Sequence, residues 1–265
     1  MEISNLYIKD PSSQINHHPL LPKSLRALII GKSSCGKSTL LYNLLLKPSW
    51  LDYNNLLVFG NSLHQPEYCV IRQGFQKGLS KDQIFNLFQN QNTLQRAGIT
   101  PLQAIEEYDG QKNNSINVNF YEDCEKIPDP STLDPNLKNL LILDDCYLGK
   151  QNKASAYYSR GRHNSCSAIY ISQNYFRLPR GSIRENSNFI ILFKQDAKNV
   201  NHIYSDHCSS DLSLEEFRSF CSHVWDEPHS FITIDLTSAP DNGRLRKNLD
   251  IFYIPEKFLK ISHNK

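Results

Sequence analysis

The sequence lacks any long apolar run. None approaches the ~18–20 residues of a membrane-spanning helix, so no stable membrane insertion is expected. No leader with an apolar core follows Met1, so secretion is not expected either. A dominant charge is also missing: 29 Lys and Arg face 27 Asp and Glu, a net charge of +2. A surface for nucleic acid must therefore be a local patch rather than a global field. The 7 cysteines form no C-x-x-C pair and are odd in number. An intracellular, reducing setting with free thiols is the simplest reading. Internal repeats, low-complexity segments and base-reading motifs are absent.

What is present suits one large α/β domain or two small ones, since 265 residues can bury a sizeable core. Residues 1–24, with Pro11, Pro19 and Pro22, read as an extended arm lying on the domain or on a neighbouring subunit, and 25–265 as the domain itself. Short apolar runs at 26–30, 56–59, 140–143, 168–172 and 189–193 predict five core strands. Unbroken runs of this kind are what a parallel sheet covered on both faces requires, which gives an α/β class. A helix is expected from Lys37 to Lys47, stopped by Pro48, and another from the Ser80 cap with Ile84, Leu87 and Phe88 as its apolar stripe. Otherwise 61–138 reads as less regular, with exposed loops at 112–115 and around Pro128, Pro130 and Pro135. Helical patterns at 197–207 and 213–224, a strand at 231–234 and a terminal piece at 251–254 complete the chain.

After the first strand comes Gly31-Lys32-Ser33-Ser34-Cys35-Gly36-Lys37-Ser38-Thr39, which fits G-x-x-x-x-G-K-[ST], the phosphate-binding P-loop. Gly31 and Gly36 can take backbone angles that let the loop's N–H groups turn inward around a phosphate. The helix that follows presents unpaired N–H groups and the positive end of its dipole there. Lys37 is expected at the β- and γ-phosphates, the Ser38 hydroxyl on Mg²⁺, and Thr39 near the α-phosphate. A chance match in a Ser/Lys-rich turn would not carry an apolar strand before it and a leucine-rich helix after it. The stretch implies a site for a nucleoside triphosphate, ATP with Mg²⁺. Cys35 within it would make the site oxidation-sensitive only if its thiol is reactive, which position alone does not establish.

The strand at 140–143 ends in Asp144-Asp145, a Walker B pattern. Asp144 suits the Mg²⁺ water shell, because Mg²⁺ takes few protein ligands and keeps its waters. Asp145 suits the base that orients an attacking water. The alternative is an aspartate pair capping the next helix. The strand at 168–172 ends in Ser172-Gln173-Asn174, and Gln173 is placed to sense a γ-phosphate by hydrogen bonding.

Together GKSSCGKST, LILDDC and SRGRHNSCSAIYISQNYFRLPRGSIREN resemble the poxvirus-type genome-packaging ATPases of the FtsK–HerA superfamily, with versions from virophages and Polinton/Maverick elements most similar. The resemblance spans about residues 25–254 and is most specific over 158–188. It departs at Asp145, where Glu is commoner. It implies a RecA-like P-loop ATPase core, with the five expected strands, numbered in chain order, arranged 5-1-4-3-2. It implies a homo-oligomeric ring, a pentamer or hexamer, that drives double-stranded viral DNA into a preformed capsid. Capsid or vertex proteins would be partners, in the host-cell cytoplasm or virus factory or on the virion. A cellular-type DNA translocase or helicase, and a nucleotide-gated assembly switch, are the rival readings. The resemblance further implies an arginine finger acting on a neighbour's ATP, among Arg160, Arg162 and Arg184, with Arg162 favoured. Each of these arginines has the other role open to it of binding DNA phosphates or pairing with surface acids.

Further basic groups, Lys150 with Lys153, Arg177 with Arg180 and Arg184, and Arg244 with Arg246 and Lys247, could line a DNA channel or form solvated faces. His202, His207, Cys208, Cys221 and His223 have ligand chemistry but loose spacing, and scattered helix residues are the simpler reading. Tyr157 and Tyr158 read as packing.

Overall fold

The side chains of the central strands alternate between two apolar layers, and the whole chain is arranged around that alternation. In a computed structural model, which describes residues 14–110, 115–146 and 151–259, Arg26–Ile30 forms β1 and Asn139–Asp144 forms β4. Leu28, Ile30, Leu141 and Leu143 face one layer, whereas Ala27, Ile29, Leu140 and Ile142 face the other. Successive residues of a strand point to opposite faces, so a run without polar interruption can be buried only if both faces are covered.

The remaining strands are β2 (Asn55–Gly60), β3 (Asn117–Tyr121), β5 (Cys166–Ser172), β6 (Phe189–Phe193), β7 (Phe231–Asp235), β8 (Leu245–Lys247) and β9 (Ile251–Tyr253). Among the described residues they form a nine-stranded sheet in the order β3-β2-β4-β5-β1-β6-β7-β8-β9. Pairing is parallel from β3 to β6 and antiparallel from β6 to β9. The five expected strands are β1, β2, β4, β5 and β6, which lie side by side as 5-1-4-3-2 in their own numbering. That order is incomplete as a description of the sheet. It omits β3 on one edge and the antiparallel extension on the other.

One face of the sheet is covered by α1 (Lys37–Leu46), α2 (Pro66–Lys77), α3 (Lys81–Gln89) and α5 (Pro101–Glu106), with α4 (Gln91–Arg96) between the last two. The other face carries α6 (Asn152–Arg160), α7 (Ala197–Ile203) and α8 (Leu214–Trp225), and α9 (Glu256–Leu259) closes the described chain. Local sequence accounts for several of these ends. Gly36, at φ 111°, caps α1, and Leu41, Leu44, Leu45 and Leu46 bury one side of it. Ser80 and Gln83 cap α3 reciprocally, each side chain bonding the other residue's backbone N–H.

Three expectations are corrected. The stretch 61–138 is not irregular: it holds α2 to α5 and β3. Only Val118 and Phe120 of β3 are partly buried, because it is an edge strand whose asparagines face out. Arg246 is no channel group. It lies at 2% exposure within β8 and bonds Asp235 at 2.6 Å, because the antiparallel extension buries that position. The cysteines are not all free: Cys124 and Cys146 form a disulfide, the turn at 124–126 meeting the end of β4 with Cα atoms 5.9 Å apart. Cys35, Cys69, Cys166, Cys208 and Cys221 are free. The loop residues 112–114, Lys150 and arm residues 1–13 fall outside the described residues. Arm residues 14–24 lie on the domain, with Ile15 and Leu21 buried and His17 bonded to Ser167 of β5. No helix among the described residues is long and apolar enough to cross a membrane.

Candidate functional site

Parallel strands place all their C-terminal ends on one edge of a sheet, and ligands of open α/β sheets bind there. The loop after β1, Asp144 and Asp145 after β4, and Gln173 after β5 therefore meet although they are far apart in sequence. Ser33, Ser34, Lys37, Ser38, Ser62, Gln65, Asp144, Asp145 and Gln173 line one cavity of about 160 Å³. Lys37 and Ser38 also line a second of about 600 Å³, with Gly36, Thr39, Leu40, Asn43, Phe193, His229 and Phe231.

The loop glycines are required by space and by backbone. A Cβ on Gly31 would lie 2.4 Å from Cys35 Sγ and 2.8 Å from Phe193 Cβ, so no side chain fits without rearrangement. Lys37 Nζ donates to the carbonyls of Gly31 and Lys32, both at 2.7 Å, which folds the ammonium over the loop where phosphate would bind. Cys35 sits 4.0 Å from Lys37 Nζ, yet burial raises its thiol pKa, so this is not the environment of a reactive thiolate.

The two acids are held differently. Asp144 Oδ2 accepts a 2.7 Å hydrogen bond from the Tyr68 hydroxyl of α2. Burial raises the Asp144 pKa above the ordinary 3.8, with that hydrogen bond opposing the rise and neighbouring Asp145 adding to it. Asp145 adopts φ 53°, a left-handed conformation that non-glycine residues rarely take, and Gln173 Nε2 donates to its Oδ2 at 3.1 Å. Its other oxygen, Oδ1, is buried without a hydrogen-bond partner. Two carboxylates and the Ser38 hydroxyl form a hard, oxygen-only donor set opening on a small polar cavity. Of these, the desolvated Asp144 carboxylate and the Ser38 hydroxyl are oxygen donors of the kind that fit Mg²⁺ with waters in its shell.

No protein-family model matches the chain, and no curated protein matches it. Among solved structures the chain is similar to the DNA-packaging ATPase B204 from Sulfolobus turreted icosahedral virus, at 14% identity and a TM-score of 0.50, over 86% of this chain and 97% of that one. It is also similar to the genome packaging NTPase B204 of Sulfolobus turreted icosahedral virus 2 in complex with AMPPCP, at 12% identity and a TM-score of 0.49, over 87% and 99%. VirB4 of Thermoanaerobacter pseudethanolicus is similar at 13% identity and a TM-score of 0.44, over 80% and 87%. At such identities the first likeness shows a shared fold. That fold is the α/β arrangement with its mostly parallel sheet.

The three arginines are not equivalent. Arg184 is buried, bonds Asp206 at 2.9 Å, and lies over the Tyr175 ring, whose hydroxyl donates to the same carboxylate. It is committed inside its own chain and cannot reach a neighbour's nucleotide without breaking that network. Arg160 is exposed and pairs with Asp129 at 2.9 Å. Arg162 is exposed on the 3-10 turn Gly161–Asn164 that leads into β5. Both lie at the N-terminal ends of the strands, a full strand length from the phosphate loop, so neither can serve the cavity of its own chain.

The other basic groups are largely occupied: Lys153 bonds the Glu125 carbonyl, Arg180 pairs with Glu185, Arg244 with Asp211 and Lys247 with Glu227. His207 bonds the Tyr175 hydroxyl, Cys208 and Cys221 are buried, and no group of three or more His, Cys, Asp or Glu side chains placed to hold a metal occurs among the described residues. Tyr157 and Tyr158 are buried, their hydroxyls on the carbonyls of Pro128 and Ala27. Sequence reasoning missed Tyr68, Ser62, Gln65, Phe193, His229 and Phe231. None sits in a motif, and the first three lie in the stretch without a readable pattern.

Proposed function

We propose that this chain is an ATP-hydrolysing motor that drives double-stranded viral DNA into a preformed capsid. The observation that carries the reading is the convergence of Lys37, Ser38, Asp144, Asp145 and Gln173 on one small polar cavity. A phosphate-binding loop alone would serve binding. Two acids and an amide at the γ-phosphate position add the means for hydrolysis.

In this reading Lys37 leaves the Gly31 and Lys32 carbonyls and neutralises the β- and γ-phosphates, while the loop's N–H groups hold the remaining oxygens. Ser38 and Asp144 would hold Mg²⁺, which when bound supplies charge neutralisation across the phosphates. Asp145 acts as base toward the attacking water, while Gln173 fixes the carboxylate through its Oδ2. Arg162 of an adjoining copy completes the site in trans, with Arg160 as the second candidate, so turnover requires a homo-oligomeric ring. The packaging role and the capsid partner draw on the sequence resemblance to the FtsK–HerA packaging ATPases, as do the virophage or Polinton-type source and the setting in infected-cell cytoplasm.

Steady-state ATP hydrolysis with and without duplex DNA tests the proposal. Wild-type turnover should rise with DNA, and Lys37→Ala should bind ATP weakly and hydrolyse almost none. Near-wild-type turnover in Lys37→Ala would remove the basis of the reading, and turnover indifferent to DNA would remove the translocation part of it.

A further inference from the structure

The 600 Å³ cavity beside the phosphate loop contains a histidine that the hydrolytic chemistry does not use. His229, in the loop between α8 and β7, is solvent-exposed yet held at φ 63°. Glycine is the ordinary occupant of that left-handed conformation, and a bulky side chain there is strained. Its Nδ1 lies 3.3 Å from the Cys35 carbonyl, so Nδ1 carries the proton and the ring is pinned across the phosphate loop. Phe193, at the end of β6, packs against Gly36, and a Cβ on Gly36 would lie 3.4 Å from Phe193 Cε1 and 3.7 Å from His229 Nδ1. Phe231 packs on Phe193 with ring centroids 5.2 Å apart.

The exposed imidazole, the small accessible parts of the buried Phe193 and Phe231 rings and the first turn of α1 thus wall a largely apolar slot that opens beside Thr39 and Asn43. That is where a nucleotide whose phosphates lie on Lys37 would project its sugar and base.

We infer that this slot binds the nucleobase, with His229 as the residue that holds it by stacking. The inference rests on the nucleotide-binding part of the reading above. It adds that base recognition comes from the antiparallel extension of the sheet rather than from the P-loop. Contact is through the His229 ring face, so affinity follows stacking area more than base-edge chemistry, and ATP and GTP are both ligands.

Competition against a fluorescent ATP analogue tests this on the full chain with ATP, GTP and inorganic tripolyphosphate, for wild type, His229→Gly and His229→Asn. Glycine and asparagine both accept the left-handed backbone, so neither variant should lower the unfolding midpoint of the free protein. Loss of base stacking should weaken ATP and GTP by about 10-fold in each variant and leave tripolyphosphate unchanged. Unchanged ATP affinity in His229→Gly would overturn the assignment, as would an equal loss for ATP and tripolyphosphate. Lys37→Ala separates this from the parent reading, because it should weaken all three ligands together. A wild-type chain that binds none of them would instead sink the nucleotide site itself.

Discussion

Removing one hydroxyl, Tyr68→Phe, probes how the fold tunes its acids. Tyr68 is fully buried on α2, with its ring edge-on to Tyr42 at 5.4 Å and to Phe120 at 6.2 Å, so the phenylalanine keeps the packing. What is lost is the 2.7 Å hydrogen bond to Asp144. A hydrogen bond to a charged acceptor contributes about 1.5–3 kcal/mol, and that is what the carboxylate form of Asp144 loses. The sign follows from which form the hydroxyl favours. It stabilises the carboxylate, so its removal adds to the rise that burial already imposes on Asp144. The acidic limb of the ATPase pH profile should therefore move to higher pH, with turnover on that limb falling by about 10-fold or more and more Mg²⁺ needed at a given pH. A full pH–rate profile at several Mg²⁺ concentrations measures both effects, and thermal unfolding checks that the variant is folded. An acidic limb that stays in place in a folded Tyr68→Phe protein would refute the assignment of Asp144 as the acid whose ionisation supports turnover.

Asp145→Asn should lower turnover by orders of magnitude while ATP binding survives, because a base acts on water in the transition state; intact turnover with weakened binding would exchange the roles of the two acids. His17 is buried, accepts the Asp52 N–H on Nδ1 and therefore donates from Nε2 to Ser167, and its folded-state pKa falls to about 4 from 6.5. The unfolded chain takes up that proton first, so stability should be lost as pH falls from 6.5 towards 4, by about 3 kcal/mol at most. Denaturant unfolding of wild type and His17→Gln at pH 7 and pH 5 measures this, and the variant should show a smaller loss. Arg162→Ala and Lys37→Ala should each be nearly inactive, the first by about 4–7 kcal/mol of barrier, yet regain part of the activity when mixed. A mixture as dead as its components, with co-assembly shown separately, would point away from Arg162 in trans.

The phosphate loop, Asp144, Asp145, Gln173 and the five central strands were legible because each is encoded within a few consecutive residues. A tight glycine loop between a strand and a helix must be written locally, and a strand buried on both faces must read as an unbroken apolar run. The order of those five strands came only with the family resemblance, not from any one motif. What surrounds those residues depends on neighbours distant in sequence. Tyr68 reaches Asp144 across 76 positions and His229 reaches Cys35 across 194, and neither separation leaves a local pattern. The basic clusters misled for the same reason. Arg246 and Arg184 look like surface charges in sequence, but the strand or turn that holds each one brings an aspartate beside it and closes over the pair. The cysteine pairing was equally out of reach, because only the packing of the turn at 124–126 against the end of β4 brings Cys124 to Cys146. The sequence by itself therefore determined which residues stand at the strand ends and line the cavity there. Which side chains tune that chemistry, and which arginines are left exposed, was decided by tertiary packing, because burial and charge pairing belong to the assembled sheet and not to any segment of it.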